Sequence, residues 1–389
     1  MIIIDKPKLE RREDEVVLSV DFEIEGEKKE LWYSFSRQYE EFLIVDQLDA
    51  FVIGLLFLAL KTGNDIKLNA PLSARLFYSL NHYIIDAFCL VNPKYKRIKI
   101  IPSTLSTSNL NVYNSASTGL SCGIDSFATY FDHKNESTPY LIEYFTFFNV
   151  GSHGDKGGEQ ARKIFNERFY NVSEFAKKVS TEVITVDSNL SEILHMQFQE
   201  TYNLRTISCV LLMQKLIKNY YYSSGTRFDH FAFNNREIAD LDMLIIPNLS
   251  TESTSIFVSA LKYSRIGRTE LISEFSETYE HLDVCTHPYK EGRDKINCSE
   301  CYKCQRTMLT LDLLGKLEFY SEVFNLYKFR KNKKEYIGWL LSKKKKLTLD
   351  RELISLIKEM NQIDSQIYFY MLKHIFNRQK IKIKKIFHL

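Results

Sequence analysis

Strand-like and helical stretches alternate between residues 109 and 315, and this alternation limits the fold more than any other feature of the chain. NVYNSASTGLS, LIEYFTFFNV, TEVITVD and YYYSSG read as strands, and each leads into a helical stretch such as IDSFATYFDH, GEQARKIFNERFYNVSEFAKKVS or LRTISCVLLMQKLIKNY. A strand that hands over to a helix returns beside its neighbour in the same direction. The pattern therefore predicts βαβ units and an α/β fold with a parallel sheet flanked by helices. In such folds ligands bind at the carboxyl ends of the strands. Upstream, Glu15–Glu25 and Glu30–Phe35 alternate as hairpin strands do, and helical periodicity follows in DQLDAFVIGLLFLALKTG and PLSARLFYSLNHYIIDAFCL. Residues 1–108 are expected to form an accessory α+β domain, 109–320 the main domain, and 321–389 a helical extension that Gly338 interrupts.

Composition narrows the field further. At 389 residues the chain exceeds what one core organises, and 44% hydrophobic with 26% charged residues excludes a disordered or fibrous protein. The longest apolar run, Ala50–Leu60, falls short of the roughly 20 residues that a membrane span needs. The start, MIIIDKPKLERRED, lacks the apolar core of a secretory signal. Seven cysteines without an export signal argue against a disulfide framework and predict a reducing, cytoplasmic setting. Charge is uneven. Residues 321–389 hold 17 Lys+Arg against 6 Asp+Glu, a net +11, while the whole chain carries +3, which leaves −8 for the rest. The basic extension reads either as a solvated helical surface or as a contact for an acidic partner, nucleic acid or lipid headgroups. After the Lys343–Lys346 run, Leu347, Leu349, Leu353, Ile354 and Ile357 mark a helix face. Basic and aromatic residues do not interleave there as a single-strand stacking platform requires.

Two constellations carry chemistry. Ser121-Cys122-Gly123-Ile124-Asp125-Ser126 lies where the first strand of the main domain gives way to its first helix. Backbone N–H groups and the positive end of the helix dipole can hold an anion there. Ser121 and Ser126 add hydroxyl donors, and Asp125 orients the loop or helps hold Mg2+; the same residues also read as an ordinary capped helix start. The second constellation is Cys285, Cys298, Cys301 and Cys304, with the last three spaced C-x2-C-x2-C. Four thiolates at that spacing suit one tetrahedral, structural Zn2+. An iron–sulfur cluster, with His287 replacing one sulfur, is the main alternative, and redox chemistry at a CxxC is another; the polar setting, EGRDKINCSECYKCQRT, argues against core cysteines.

SCGIDS resembles the SGGxDS loop of the PP-loop ATP pyrophosphatases, which include adenylating amidotransferases and tRNA thiolation enzymes. VCTHPYKEGRDKINCSECYKCQRTMLTLDLLG resembles the C-terminal zinc element of 7-cyano-7-deazaguanine synthases and their relatives. The likeness covers residues 109–320. It implies a Rossmann-like PP-loop (HUP) fold that includes a zinc element at 285–304, with ATP, Mg2+ and Zn2+ as cofactors. Under it, Ser121, Asp125 and Ser126 are catalytic, and Ser121, Gly123, Asp125, Ser126, Asn149, Gly151 and Arg205 bind the nucleotide. His153 reaches the ribose or substrate, Tyr222–Gly225 line the cleft, and Arg268 with Glu270 starts a helix facing it. The implied reaction is AMP-forming: ATP adenylates a carboxylate or amide oxygen of a small or macromolecular substrate, and ammonia or another amine attacks. With no N-terminal Cys to serve a glutaminase, the ammonia comes from solution or a partner. The alternatives are sulfur transfer to tRNA, with Cys122 as the carrier rather than Cys89 or Cys209, and a zinc-containing nucleotide-binding module without turnover. Two departures from the family pattern stand out. Cys122 replaces the usual first Gly of the loop, and the 12 residues between Cys285 and Cys298 exceed the usual gap. Homo-oligomerisation is compatible with all three readings.

Overall fold

The computed structural model describes residues 1–233, 238–287, 294–344 and 347–386. Contacts divide the chain into two compact units, one of residues 1–121 with 129–262 and one of residues 122–128 with 263–389.

An eleven-stranded sheet organises the first unit. Strands β1 (Glu15–Ile24) and β2 (Glu27–Ser36) form the expected hairpin. Five strands, β3 (Ser115–Gly119), β4 (Ile142–Asn149), β5 (Glu182–Ser188), β6 (Ile217–Ser223) and β7 (Ser255–Ser259), run parallel in the order β7-β6-β3-β4-β5. The α/β architecture with a large, mostly parallel sheet is thus as expected. The β7 strand, from TSIFVSA, was not among the expected ones.

Residues 1–108 do mix helices and strands, and apart from a short two-stranded sheet of their own, Leu72–Ser73 with Leu105–Ser106, their strands join the main sheet. The β2 strand pairs antiparallel with β5, setting Val186 opposite Phe35 and Ser188 opposite Tyr33. An uncovered edge of β5 would expose a row of unpaired N–H and C=O groups, and the hairpin closes it. The first helix, α1 (Asp49–Thr62), carries the Ala50–Leu60 run and is buried on almost every side. A helix apolar all round belongs inside a core rather than on one face of it.

From β3 the chain proceeds to β4 and β5 on one side, then returns to place β6 and β7 on the other. The central strand β3 is therefore a switch point, the place in an open α/β sheet where a crevice opens beyond the strand ends. The segment that leaves β3 there is Ser121–Ser126, followed by α2 (Ile124–Asp132). Residues 124–128 of α2 belong to the second unit; helices of the first include α3 (Glu159–Lys178) and α4 (Tyr202–Leu211), which packs against α1.

The second unit is helical: α5 (Arg265–Ser273), α6 (Tyr302–Leu313), α7 (Leu326–Ser342), α8 (Thr348–Glu359) and α9 (Ser365–Ile386). Leu353, Ile354 and Ile357 are buried on α8 as their spacing predicts, whereas Lys345 and Lys346 lie outside the described residues. Gly338 does not interrupt its helix; α7 runs straight through it. A Cβ at Gly338 would lie 2.6 Å from the Tyr370 Cβ and 2.9 Å from the Met371 amide nitrogen. The glycine is there to let α9 approach closely, not to break α7. Among the described residues, no helix is long and apolar enough to cross a membrane.

Candidate functional site

The four cysteines converge as their spacing predicts. The Sγ atoms of Cys285, Cys298, Cys301 and Cys304 all lie within 4.8 Å of one another. Cys298 and Cys304 are 3.8 Å apart at sulfur, and Cys301 and Cys304 3.4 Å. A tetrahedral ion with Zn–S bonds of about 2.3 Å places its sulfurs about 3.8 Å apart, so one zinc-sized ion fits this set. Thiolates this close leave no room for the irons and bridging sulfides of a multi-iron cluster. His287 is exposed and stands outside the group.

Local structure explains the fit. The Cys301 amide donates to the Cys298 sulfur at 3.2 Å, and the Cys304 amide to the Cys301 sulfur at 3.5 Å. Ser299, just after Cys298, adopts the left-handed conformation that turns the chain back (φ +61°). Asn297 is buried beneath the knuckle. It accepts from the Val284 amide at 2.9 Å and donates to the Leu282 carbonyl at 2.7 Å, tying the Cys285 arm to the other three ligands. Within the long Cys285–Cys298 insertion, residues 288–293 lie outside the described residues.

Cys301 is also the N-cap of α6, so the geometry that gathers the sulfurs fixes how that helix is rotated. Lys303 and Arg306 follow on its first turns. In the same unit α5 presents Arg265 and Arg268, and α2 presents Asp125. Arg265 donates to one Asp125 carboxylate oxygen at 2.5 Å and Arg268 to the other at 2.7 Å. Burial alone would raise the Asp125 carboxyl, but the two guanidiniums hold it well below the usual carboxylate range. Arg306 is only 7% exposed, and its Nε has no hydrogen-bond partner. Burial and then Arg265 push its guanidinium down. Lys303 is likewise pushed down by burial, then by Arg265 and Arg306. Among the described residues, neither Lys303 nor Arg306 is paired with a carboxylate. Four cations thus face two acids, Asp125 and Glu352, whose carboxylate accepts the Arg265 amide at 3.1 Å. Desolvated cations grouped in this way can accept a multiply charged anion.

The loop bears on the same chemistry. Cys122 has φ +55° and is fully buried. It takes the left-handed conformation that a glycine adopts without strain, so the loop keeps its shape in spite of the side chain. Burial, then Asp283, pushes its thiol well up, away from the reactive thiolate. The Ser126 hydroxyl donates to the Gly123 carbonyl at 3.1 Å, and Ser121 is exposed. Glu270 is exposed to solvent while its expected companion, Arg268, is buried.

The remaining expected site residues belong to the first unit. Asn149, at the end of β4, donates to Asp187 at 2.7 Å, and Arg162 reaches the other Asp187 oxygen at 2.8 Å and Glu192 at 2.9 Å. Arg205 is fully buried. It donates to the Thr201 hydroxyl at 2.7 Å, the Val150 carbonyl at 3.0 Å, the Ser191 hydroxyl at 2.9 Å and the Met196 carbonyl at 2.8 Å. Gly151 (φ +122°) sits against this guanidinium, where a Cβ would collide with it. His153 packs edge-on against Phe147 and Phe165, and burial followed by Arg168 lowers it to about 3, so it is neutral at pH 7. At the end of β6 the Ser224 hydroxyl donates to the buried Asp242 at 2.8 Å, and burial raises that carboxyl to about 7.

Sequence reading named Asp125, Ser126 and Arg268 but missed Arg265, Lys303, Arg306 and Asn297. The signal for three of them lay inside the cysteine motif itself: NCSECYKCQR carries the buried Asn one residue before its first Cys, and Lys303 and Arg306 three residues apart on the helix it caps. Comparison with protein-family models, with curated proteins and with solved structures found no match.

Proposed function

We propose that this protein is an ATP-dependent, AMP-forming enzyme of the PP-loop type, which adenylates a carboxylate or amide oxygen for attack by ammonia or another amine. The observation that carries the reading is the convergence of Arg265, Arg268, Lys303 and Arg306 on Asp125, in the first turn of the helix that follows the central strand. A group of cations beside a helix N-terminus suits the β- and γ-phosphates of ATP, which leave together as pyrophosphate when a substrate oxygen attacks the α-phosphorus. Loop amides, Ser121 and Ser126 hold the same group. Asp125, engaged by both arginines, acts as the brace that aims them rather than as a metal ligand. Mg2+, arriving with the nucleotide, supplies further charge neutralisation at the phosphates. Zn2+ in the four-sulfur site is structural: with four protein ligands it has no open position, and its work is to fix the first turn of α6.

Sulfur transfer is the weaker reading. Cys122 and Cys209 are fully buried with thiols pushed up by burial, and Cys89 is shifted the same way. None is poised as a thiolate carrier.

The test is turnover of ATP labelled at the α-phosphate by zinc-loaded protein, with a panel of carboxylic acids and ammonia. Labelled AMP with pyrophosphate is the expected product. Lys303→Ala should slow its formation about 100- to 1,000-fold, as loss of one donor at developing charge does. Labelled ADP as the sole product would overturn the reading.

A further inference from the structure

Helix α9 has two unlike long faces. Its inner face packs along α7: Ile367 is buried, Tyr370 and Met371 close over Gly338, and Arg378 donates to Ser342. On the outer face Tyr368, Phe369, Leu372 and Phe376, spaced for one side of a helix, are 52%, 64%, 49% and 60% exposed. Four large apolar side chains in one uninterrupted stripe are more than the scatter of single exposed residues that a soluble surface ordinarily shows.

Charge says what covers this stripe. Residues 365–389 contain Lys373, Arg378, Lys380, Lys382, Lys384 and Lys385 and no Asp or Glu. Lys373 stands beside the stripe, where it also pairs with Glu335 at 3.3 Å, and the other five follow it in the sequence. We infer that α9 docks the protein onto an anionic lipid surface. In this arrangement Tyr368, Phe369, Leu372 and Phe376 sink into the headgroup–acyl boundary while the basic residues that follow them in the sequence reach lipid phosphates and carboxylates. A stripe of aromatics and leucine, on a helix rich in lysine and free of acidic residues, has the amphipathic composition of a segment lying in a membrane interface. This inference does not depend on the proposed reaction.

The test is co-sedimentation of the full-length, zinc-loaded protein with vesicles of phosphatidylcholine, alone or mixed with phosphatidylserine. Binding to the mixed vesicles, little to the neutral ones, and weakening with added salt are expected. Phe376→Glu should lower the partition at least about tenfold, because an inserted aromatic is replaced by a charge that headgroups repel. Its circular dichroism and melting temperature should stay unchanged, since Phe376 is mostly exposed; Leu372→Glu provides a second variant should the first misfold. Failure of the wild type to sediment with anionic vesicles overturns the inference. So does sedimentation that Phe376→Glu and Leu372→Glu leave intact, which would mean charge alone. A dimer in light scattering that Phe376→Glu dissociates also overturns it, by giving the stripe to a second copy of the chain.

Discussion

Two buried arginines show how similar side chains do opposite work. Arg205 in the first unit is entirely enclosed, yet its donors meet three carbonyls and two hydroxyls. It staples the loop after β4 to the start of α4. Arg306 in the second unit is nearly as buried, but its Nε is unpartnered and no carboxylate neutralises it among the described residues. A buried guanidinium with satisfied donors belongs to the architecture, whereas one left wanting an anion is, on the proposed reading, where a ligand completes the structure.

The contrast can be broken experimentally, starting with the support beneath Arg306. Cys301→Ser, or removal of the metal by a chelator, should destabilise the second unit by on the order of 5 kcal/mol or more, because metal affinity there is folding free energy. ATP binding should be lost with it, since Lys303 and Arg306 ride on the helix that Cys301 caps. Elemental analysis should find one zinc per chain in the wild type, and its absence would remove the premise. Arg205→Met comes next. It leaves five oxygens without their donor, and denaturant unfolding should show a loss of about 3–5 kcal/mol. Full stability in Arg205→Met, combined with lost nucleotide binding, would reverse the roles assigned to the two arginines.

The units should also differ in their response to pH. In the first unit burial raises Asp49 to about 6 and Asp242 to about 7, from 3.8. A carboxyl whose folded value is raised contributes stability that is complete below the unfolded value and lost as pH climbs through the folded one. Asp242→Asn should therefore abolish a decline on the order of 4 kcal/mol that the wild type shows between about pH 4 and pH 8. An unchanged pH profile would show that Asp242 is not held neutral. Asp125 in the second unit runs the other way. Its carboxyl is held low, so the stability it contributes is present above the ordinary carboxylate value and declines only on acidification below it.

Arg306→Met is expected to leave stability unchanged or slightly improved, since it removes an uncompensated buried charge. It should weaken ATP or pyrophosphate binding about 10- to 100-fold, measured by calorimetry. A large fall in melting temperature instead would make Arg306 another staple. The smallest effect belongs to Cys122→Gly. Relief of the left-handed strain, about 1 kcal/mol, is offset by loss of a buried side chain, so stability should move by less than about 1 kcal/mol and AMP formation should persist. Loss of AMP formation would restore Cys122 as a sulfur carrier.

Much of the site was legible because its signals are local. The C-x2-C-x2-C spacing announced the sulfur cluster, since a two-residue gap cannot carry the sulfurs far apart. The strand-to-helix junction at Ser121–Ser126 was legible in the same way, since the strand before it and the helix after it are local patterns. Lys303 and Arg306 escaped notice because nothing in CYKCQR tells an exposed cation from a buried one. Arg205 was read as facing a ligand because a helix-start arginine looks the same whether its fork meets phosphate or the chain's own carbonyls.

The alternation of strands and helices, the parallel central sheet and the gathering of four cysteines were determined by the sequence itself, through periodicity and short spacing that act within a few residues. Tertiary structure alone decided the rest. It brought Arg265 to Asp125 across 140 residues of chain, joined the N-terminal hairpin to β5, and made Gly338 a contact rather than a break. Such outcomes depend on which surfaces meet, and burial converts an ordinary side chain into a staple or a receptor only after they have met.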